Sequence, residues 1–178
     1  MKIGLDMDDT ICSTDKVIRK YVDKYCKYKK IEPEKIWISQ NLKQDFLTKN
    51  LKKIYMSAPL KKNTKNVINK LKKLGNEIII VTARSDKYID TSMEELIKNY
   101  LSANEIVVDK IIINSKDKVD TCKKYDIDIM LEDNLYNYNL LINAGINAVL
   151  YDEINQHKNV SNRIADWKEF ISFFENDR

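Results

Sequence analysis

Along this chain the apolar positions fall into short unbroken runs, separated by longer stretches of helical period. Five runs read as strands: Lys2 to Leu5, Glu77 to Thr82, Lys110 to Asn114, Ile127 to Leu131 and Asn147 to Tyr151. They show little polar alternation, and continuous Ile/Val runs belong to strands covered on both faces, as in a parallel sheet. Between them, "NTKNVINKLKKLG" sets Val67, Ile68, Leu71 and Leu74 on one stripe and stops at Gly75. "DTSMEELIKNYL" starts near Asp90 or Thr91 with acids in its first turn, and "DKVDTCKKY" follows. "NLYNYNLLINAG" has Asn134 as a candidate N-cap and Gly145 just past its end. The alternation predicts an α/β fold: a Rossmann-like open parallel sheet of about five strands with helices on both faces.

One interval carries more helix than a crossover needs. From about residue 12 to 58 there are two further amphipathic stretches. "DKVIRKYVDKYCKY" aligns Val17, Ile18, Tyr21, Val22 and Tyr25, and "NLKQDFLTKNLKKIYM" aligns Leu42, Phe46, Leu51, Ile54 and Tyr55. "IEPEKIW", with Pro33, reads as the linker between them, and Pro59 marks the return. The pattern predicts a small helical cap, 12–58, inserted after the first strand of a core formed by 1–11 and 59–178.

Composition narrows the chemistry. With 178 residues, 43% hydrophobic and 33% charged, the chain can bury one core. No apolar run approaches the roughly 20 residues of a membrane span, and the N-terminus lacks a signal-peptide pattern. Cys12, Cys26 and Cys122 lack metal-ligand spacing, which points to reduced thiols and a cytoplasmic protein. Cys12 lies near an acidic cluster but reads as a small buried filler. The net charge of +4 comes from scattered Lys doublets, and Arg is confined to Arg19, Arg84, Arg163 and Arg178, so no nucleic-acid polymer is expected as partner. Three glycines exclude a glycine-rich phosphate loop, and the single His157, read as a loop residue, excludes a two-histidine zinc helix. Carboxylate is what remains plentiful.

In an open parallel sheet, ligands bind beyond the carboxyl ends of the strands. There the sequence places Asp6-Met7-Asp8-Asp9-Thr10 after the first strand and Thr82-Ala83-Arg84 after the second. Asn114 and Ser115 lead from the third to Lys116 and Lys118, and Glu132-Asp133-Asn134 follow the fourth. Acids from two strands, a hydroxyl and a lysine converge on one edge. Hard oxygen ligands of this kind suit Mg²⁺ together with phosphate oxygens.

These residues carry a resemblance. "LDMDDTI" resembles the first motif of the haloacid dehalogenase-like phosphohydrolases, Asp-x-Asp-x-Thr after an apolar strand. "IIIVTAR" is similar to the second motif, Lys118 fits the third, and "IMLEDN" fits the acidic fourth, in the same order. The early insertion further resembles the 5′(3′)-deoxyribonucleotidase-like branch. "SNRIADWKEF" is similar to a closing Arg-x-x-x-Trp helix of relatives. The resemblance implies an Mg²⁺-dependent phosphomonoesterase with an aspartyl-phosphate intermediate. Asp6 would be nucleophile and metal ligand, and Asp8 the proton carrier, its pKa raised by neighbouring negative charge and its backbone carbonyl on the metal. Asp133 would complete the metal ligands, while Thr82 and Lys118 would hold the phosphoryl oxygens. Glu132 would orient the lysine or a water. Asp9 reads equally as a cap, Arg84 as a local ion-pair partner or a substrate contact, and Ala83 as a neighbour of substrate. Lys116 competes with Lys118 for the lysine role.

The expected substrate is a small phosphate ester, a nucleoside 5′-monophosphate in the branch reading or a sugar phosphate otherwise, and a mutase fits the same motifs. The aromatic stripe of Tyr21, Tyr25 and Tyr28, with Trp37 and Phe46, reads as core from which one or two rings line the substrate pocket. A receiver-like signalling domain is the alternative from another class. The acids that follow Thr and Lys, and the inserted helices, argue against it. The sequence leaves the oligomeric state open.

Overall fold

The computed structural model describes residues 1–175. Arg178, and the last three positions of the core expected over 59–178, lie outside the described residues. The five apolar runs form β1 (Lys2–Leu5), β2 (Glu77–Val81), β3 (Lys110–Ile112), β4 (Ile129–Glu132) and β5 (Ala148–Tyr151), and a further strand, β6 (Arg163–Ile164), joins them. All pair in parallel, in the order β3-β2-β1-β4-β5-β6. The sheet is thus one strand wider than the sequence suggested, because two residues are too few to show a period. The order also separates the chain from receivers, whose doubly wound sheets run 2-1-3-4-5.

The inner strands β2, β1, β4 and β5 bury both faces. Ile3, Leu5, Ile78, Ile80 and Leu131 belong to one hydrophobic cluster, with Ile68 and Leu71 of α4 (Thr64–Lys73) and Ile97 of α5 (Met93–Ala103). Ile79, Val81, Met130 and Leu150 belong to a second, with Cys122 of α6 (Lys118–Tyr125) and Leu141 of α7 (Leu135–Asn143). The period of two along a strand divides the residues between the layers. Gly4 faces the second cluster, where a Cβ would lie 2.6 Å from the Met130 sulfur.

Several helix starts carry side-chain caps. Asn134 accepts from the Asn137 amide as expected, and Asp117 accepts from the amide of Asp120. The start of α5 falls later than Asp90 or Thr91, because Ser92 is the residue whose hydroxyl reaches the Glu95 amide. Gly75 and Gly145 close their helices with positive φ.

Between β1 and α4 lie α1 (Thr14–Lys29), α2 (Pro33–Ile38) and α3 (Gln40–Ser57), packed on one another. The stretch read as a linker is therefore a short helix, with Pro33 in its first turn, where a missing N–H costs nothing. Phe46, fully buried, sits edge-on to Tyr25 and Trp37. The insertion joins the rest through two adjacent segments: the Ser13 amide donates to Pro59, and Cys12 bridges both Asp8 and Leu60. At the other end, Arg163 lies in β6, and Trp167 begins α8 (Trp167–Phe170), which is followed by α9 (Ser172–Glu175). The Arg-x-x-x-Trp stretch is consequently not one helix. No described helix is long and apolar enough to cross a membrane.

Candidate active site

The carboxyl edge of the sheet is where β1, β2 and β4 deliver their polar residues. The Asp6 amide still bonds to Leu131, so its side chain is fixed by sheet register and buried. The chain then turns back: amides of Ile11 and Cys12 both reach the Met7 carbonyl, and Asp9 adopts φ +56. Thr10, fully buried, donates to Asp133 at 3.0 Å, and its carbonyl receives the Trp167 indole N–H at 3.0 Å. Neither Thr10 contact was assigned from sequence, although Thr10 stands inside the quoted motif.

Lys118, at the start of α6, reaches across to Asp6 at 2.5 Å and also binds Glu132. All three side chains are buried, and Glu132 accepts in addition from the Asn134 amide. Lys116 is exposed, so of the two lysines only Lys118 reaches the carboxylates. Burial opposes the ammonium charge of Lys118, but Asp6 and Glu132 hold its pKa above the ordinary value. Burial raises the pKa of Asp6; Lys118 opposes this, and Glu132, Asp8 and Asp133 add to it. Burial, then Glu132, pushes Asp133 up to about 6. Carboxylate oxygens of Asp6, Glu132 and Asp133 lie within 4.8 Å of one another. An all-oxygen set short of positive charge fits a hard divalent cation.

Asp8 stands in different company. Nε of Arg84 donates to both its carboxylate oxygens at 3.1 Å, and Nη2 reaches Oδ1 at 2.6 Å. The Thr14 hydroxyl donates to the same Oδ1 at 2.6 Å. The expectation that nearby acids raise the pKa of Asp8 is corrected here. Burial does raise it, but the charge and hydrogen bonds of Arg84, with Thr14, bring it below the ordinary value. Arg84 takes the local ion-pair role. Its guanidinium is buried, touches Cys12 and Thr14, and lies 3.8 Å from the ring centre of Tyr55.

Thr82 is fully buried, and its hydroxyl accepts from the Arg84 amide, which leaves its own proton to donate. Ala83 between them is exposed. Asp9 accepts from the Asp15 amide in the first turn of α1, a capping contact. Cys12 is buried against the Met7 carbonyl, and burial pushes its thiol pKa up, as fits a filler. His157 lies in the loop after β5, its amide bonded to Asp152. Of the insertion aromatics, Tyr25 and Phe46 are core, and Tyr28 is exposed. A cavity of about 250 Å³ lies between Tyr21, Tyr25, Tyr28 and Lys49. The ring that meets the acidic edge is Tyr55, and nothing in its helical spacing marks it out.

In fold the chain is similar to solved haloacid dehalogenase-like hydrolases. A hydrolase of that family from Streptococcus pneumoniae superposes with a TM-score of 0.75 at 12% identity, over 98% of both chains. A phosphatase of the same superfamily from Thermococcus onnurineus gives 0.65 at 15% identity over 100% of both. In sequence, the chain is 31% identical over 129 residues to a nucleotidase from Clostridium acetobutylicum. That match takes in 70% of this chain and spans 64% of the length of the relative. No protein-family model matches the chain.

Proposed function

We propose that the protein is a phosphoric monoester hydrolase that acts through an aspartyl-phosphate at Asp6. The observation that carries this reading is the buried Lys118 joined to both Asp6 and Glu132, with Thr82 and Asp8 at the same sheet edge. A lysine there neutralises a carboxylate cluster and offers donors to a phosphoryl group. Register and Lys118 fix the Asp6 oxygens for attack on phosphorus, and the ester oxygen leaves as an alkoxide. Asp8 supplies the proton to that oxygen and then takes one from the water that cleaves the acyl-phosphate. Held charged by Arg84 without substrate, Asp8 gains its proton once a phosphate dianion approaches, since added negative charge raises a carboxyl pKa. Thr82 donates to a phosphoryl oxygen. Asp6 and Asp133, with the Asp8 carbonyl, would hold Mg²⁺, which supplies charge neutralisation at the phosphoryl oxygens.

The helices of 12–58 act as a cap over this edge, with 1–11 and 59–178 as the core. The substrate is a small phosphate ester of the reducing cytosol. The likeness to a nucleotidase supports a nucleoside 5′-monophosphate. A panel of nucleotides and sugar phosphates, assayed with Mg²⁺ and with EDTA, tests the reading. We expect turnover with Mg²⁺ alone and loss of at least about 10³-fold in Asp6→Asn. Wild type indistinguishable from Asp6→Asn on every ester would overturn it.

A further inference from the structure

We propose that Tyr55, carried on α3 of the insertion, is a positioning residue: its ring holds the Arg84 guanidinium against Asp8, so the seating of the insertion sets the orientation of the proton carrier. The inference rests on the role given to Asp8 above. A buried guanidinium needs its edge donors paired and its faces covered, and aromatic rings suit those faces because they hydrate weakly. At Arg84 the Nε and Nη2 donors are paired and one face carries a ring. Its edge serves Asp8, Thr14 and Cys12, and the Tyr55 ring lies 3.8 Å from its central carbon.

The insertion reaches this pair from both its ends. Thr14 is the first residue of α1, and its hydroxyl donates to Asp8 at 2.6 Å. Tyr55 stands in the last turn of α3, just before the chain returns at Ala58, whose carbonyl accepts from the Tyr100 hydroxyl at 2.6 Å. Asp8 itself bridges to Cys12, which in turn bridges to Leu60. The carboxylate is therefore held by one loop of the sheet edge and by both ends of the inserted helices. Without the ring, water reaches the face of Arg84 and the fork loses its fixed plane. Asp8 keeps its charge partner but not its direction, which costs rate more than it costs binding.

The test compares Tyr55→Phe with two ring-less variants of different shape, Tyr55→Leu and Tyr55→Met, so that a folding failure of one leaves the other. The first readout needs no turnover. With four arginines in the chain, the Arg84 Nε–H is assignable by NMR through its loss in Arg84→Lys. We expect a slowly exchanging resonance in wild type and Tyr55→Phe, and its broadening or loss in the ring-less variants, with the Arg19 and Arg163 resonances unmoved. The second readout is steady-state hydrolysis of p-nitrophenyl phosphate with Mg²⁺. The ring-less variants should lose about tenfold or more in kcat with KM changed less than about threefold, and Tyr55→Phe should recover most of that loss. An Arg84 resonance unchanged in the ring-less variants overturns the proposal, as does a rise in KM alone, which would make Tyr55 a wall of the substrate pocket. If wild type hydrolyses no phosphate ester, the functional reading falls while the resonance still decides the positioning.

Discussion

At the scale of single residues, the site divides its carboxylates by partner. Asp6 and Glu132 share one buried ammonium, Asp8 has a guanidinium of its own, and Asp133 has a threonine hydroxyl. Asp6, Asp8, Thr82, Glu132 and Asp133 could be singled out because they stand at or just past the ends of apolar runs, and Lys118 by its motif order. Their partners could not, since Arg84 lies 76 positions from Asp8 and Lys118 lies 112 from Asp6. Thr14 and Tyr55 look in the sequence like any helix start and any amphipathic stripe. Packing gives the sharpest residue-scale prediction. In Gly4→Ala the new methyl would meet Met130 at 2.6 Å and Ile127 at 3.0 Å. Overpacking of this kind should cost about 1–3 kcal/mol, read from the urea midpoint. An unchanged midpoint would mean that the second cluster yields freely.

At the scale of elements, the apolar runs predicted five of the six strands among the described residues, and their ends shifted by a few residues at most. Two readings of elements changed with the structure. The stretch around Pro33, read as a linker, is a short helix, and Arg163, placed in a closing helix by resemblance, lies in β6. Within the insertion, Asp45 joins α3 to α1 by accepting from the Tyr25 hydroxyl at 2.6 Å, with Lys49 and Lys29 beside it. The Lys49 hydrogen bond first, then Tyr25, lowers the Asp45 pKa to about 2. A carboxyl depressed in the folded state stabilises it above the unfolded pKa of about 4, and that contribution fades as pH falls towards 2. Asp45→Asn should therefore lose stability at pH 7, by up to about 1 kcal/mol for so exposed a pair, and less at pH 3. Denaturant titrations at the two pH values check the sign, and a gap that widens at pH 3 would contradict it.

At the scale of the whole molecule, β1 and β4 lie side by side at the centre of the sheet, so the Asp6 loop and Glu132-Asp133 meet although far apart in sequence. The alternation of strand and helix announced the fold class. The strand order was beyond it, because neighbours in the sheet are chosen by crossover packing that periodicity does not record. The three gathered acids, Asp6, Glu132 and Asp133, share the one ammonium of Lys118, so a cation bound among them should stabilise the fold. Millimolar Mg²⁺ should raise the Tm by roughly 5 °C, reversibly with EDTA, and much less in Asp133→Asn. No rise in wild type would speak against a metal at this edge.

A bond from Asp6 to phosphorus can be read directly. Protein mixed with a turned-over phosphate ester and Mg²⁺ is quenched with borohydride, which reduces an acyl-phosphate to an alcohol, and the peptide spanning the Asp6 loop is sequenced by mass spectrometry. Homoserine is expected at position 6 in wild type, and none without ester or in Asp6→Asn. Turnover with Asp6 unmodified, or reduction at a different carboxylate, would contradict it.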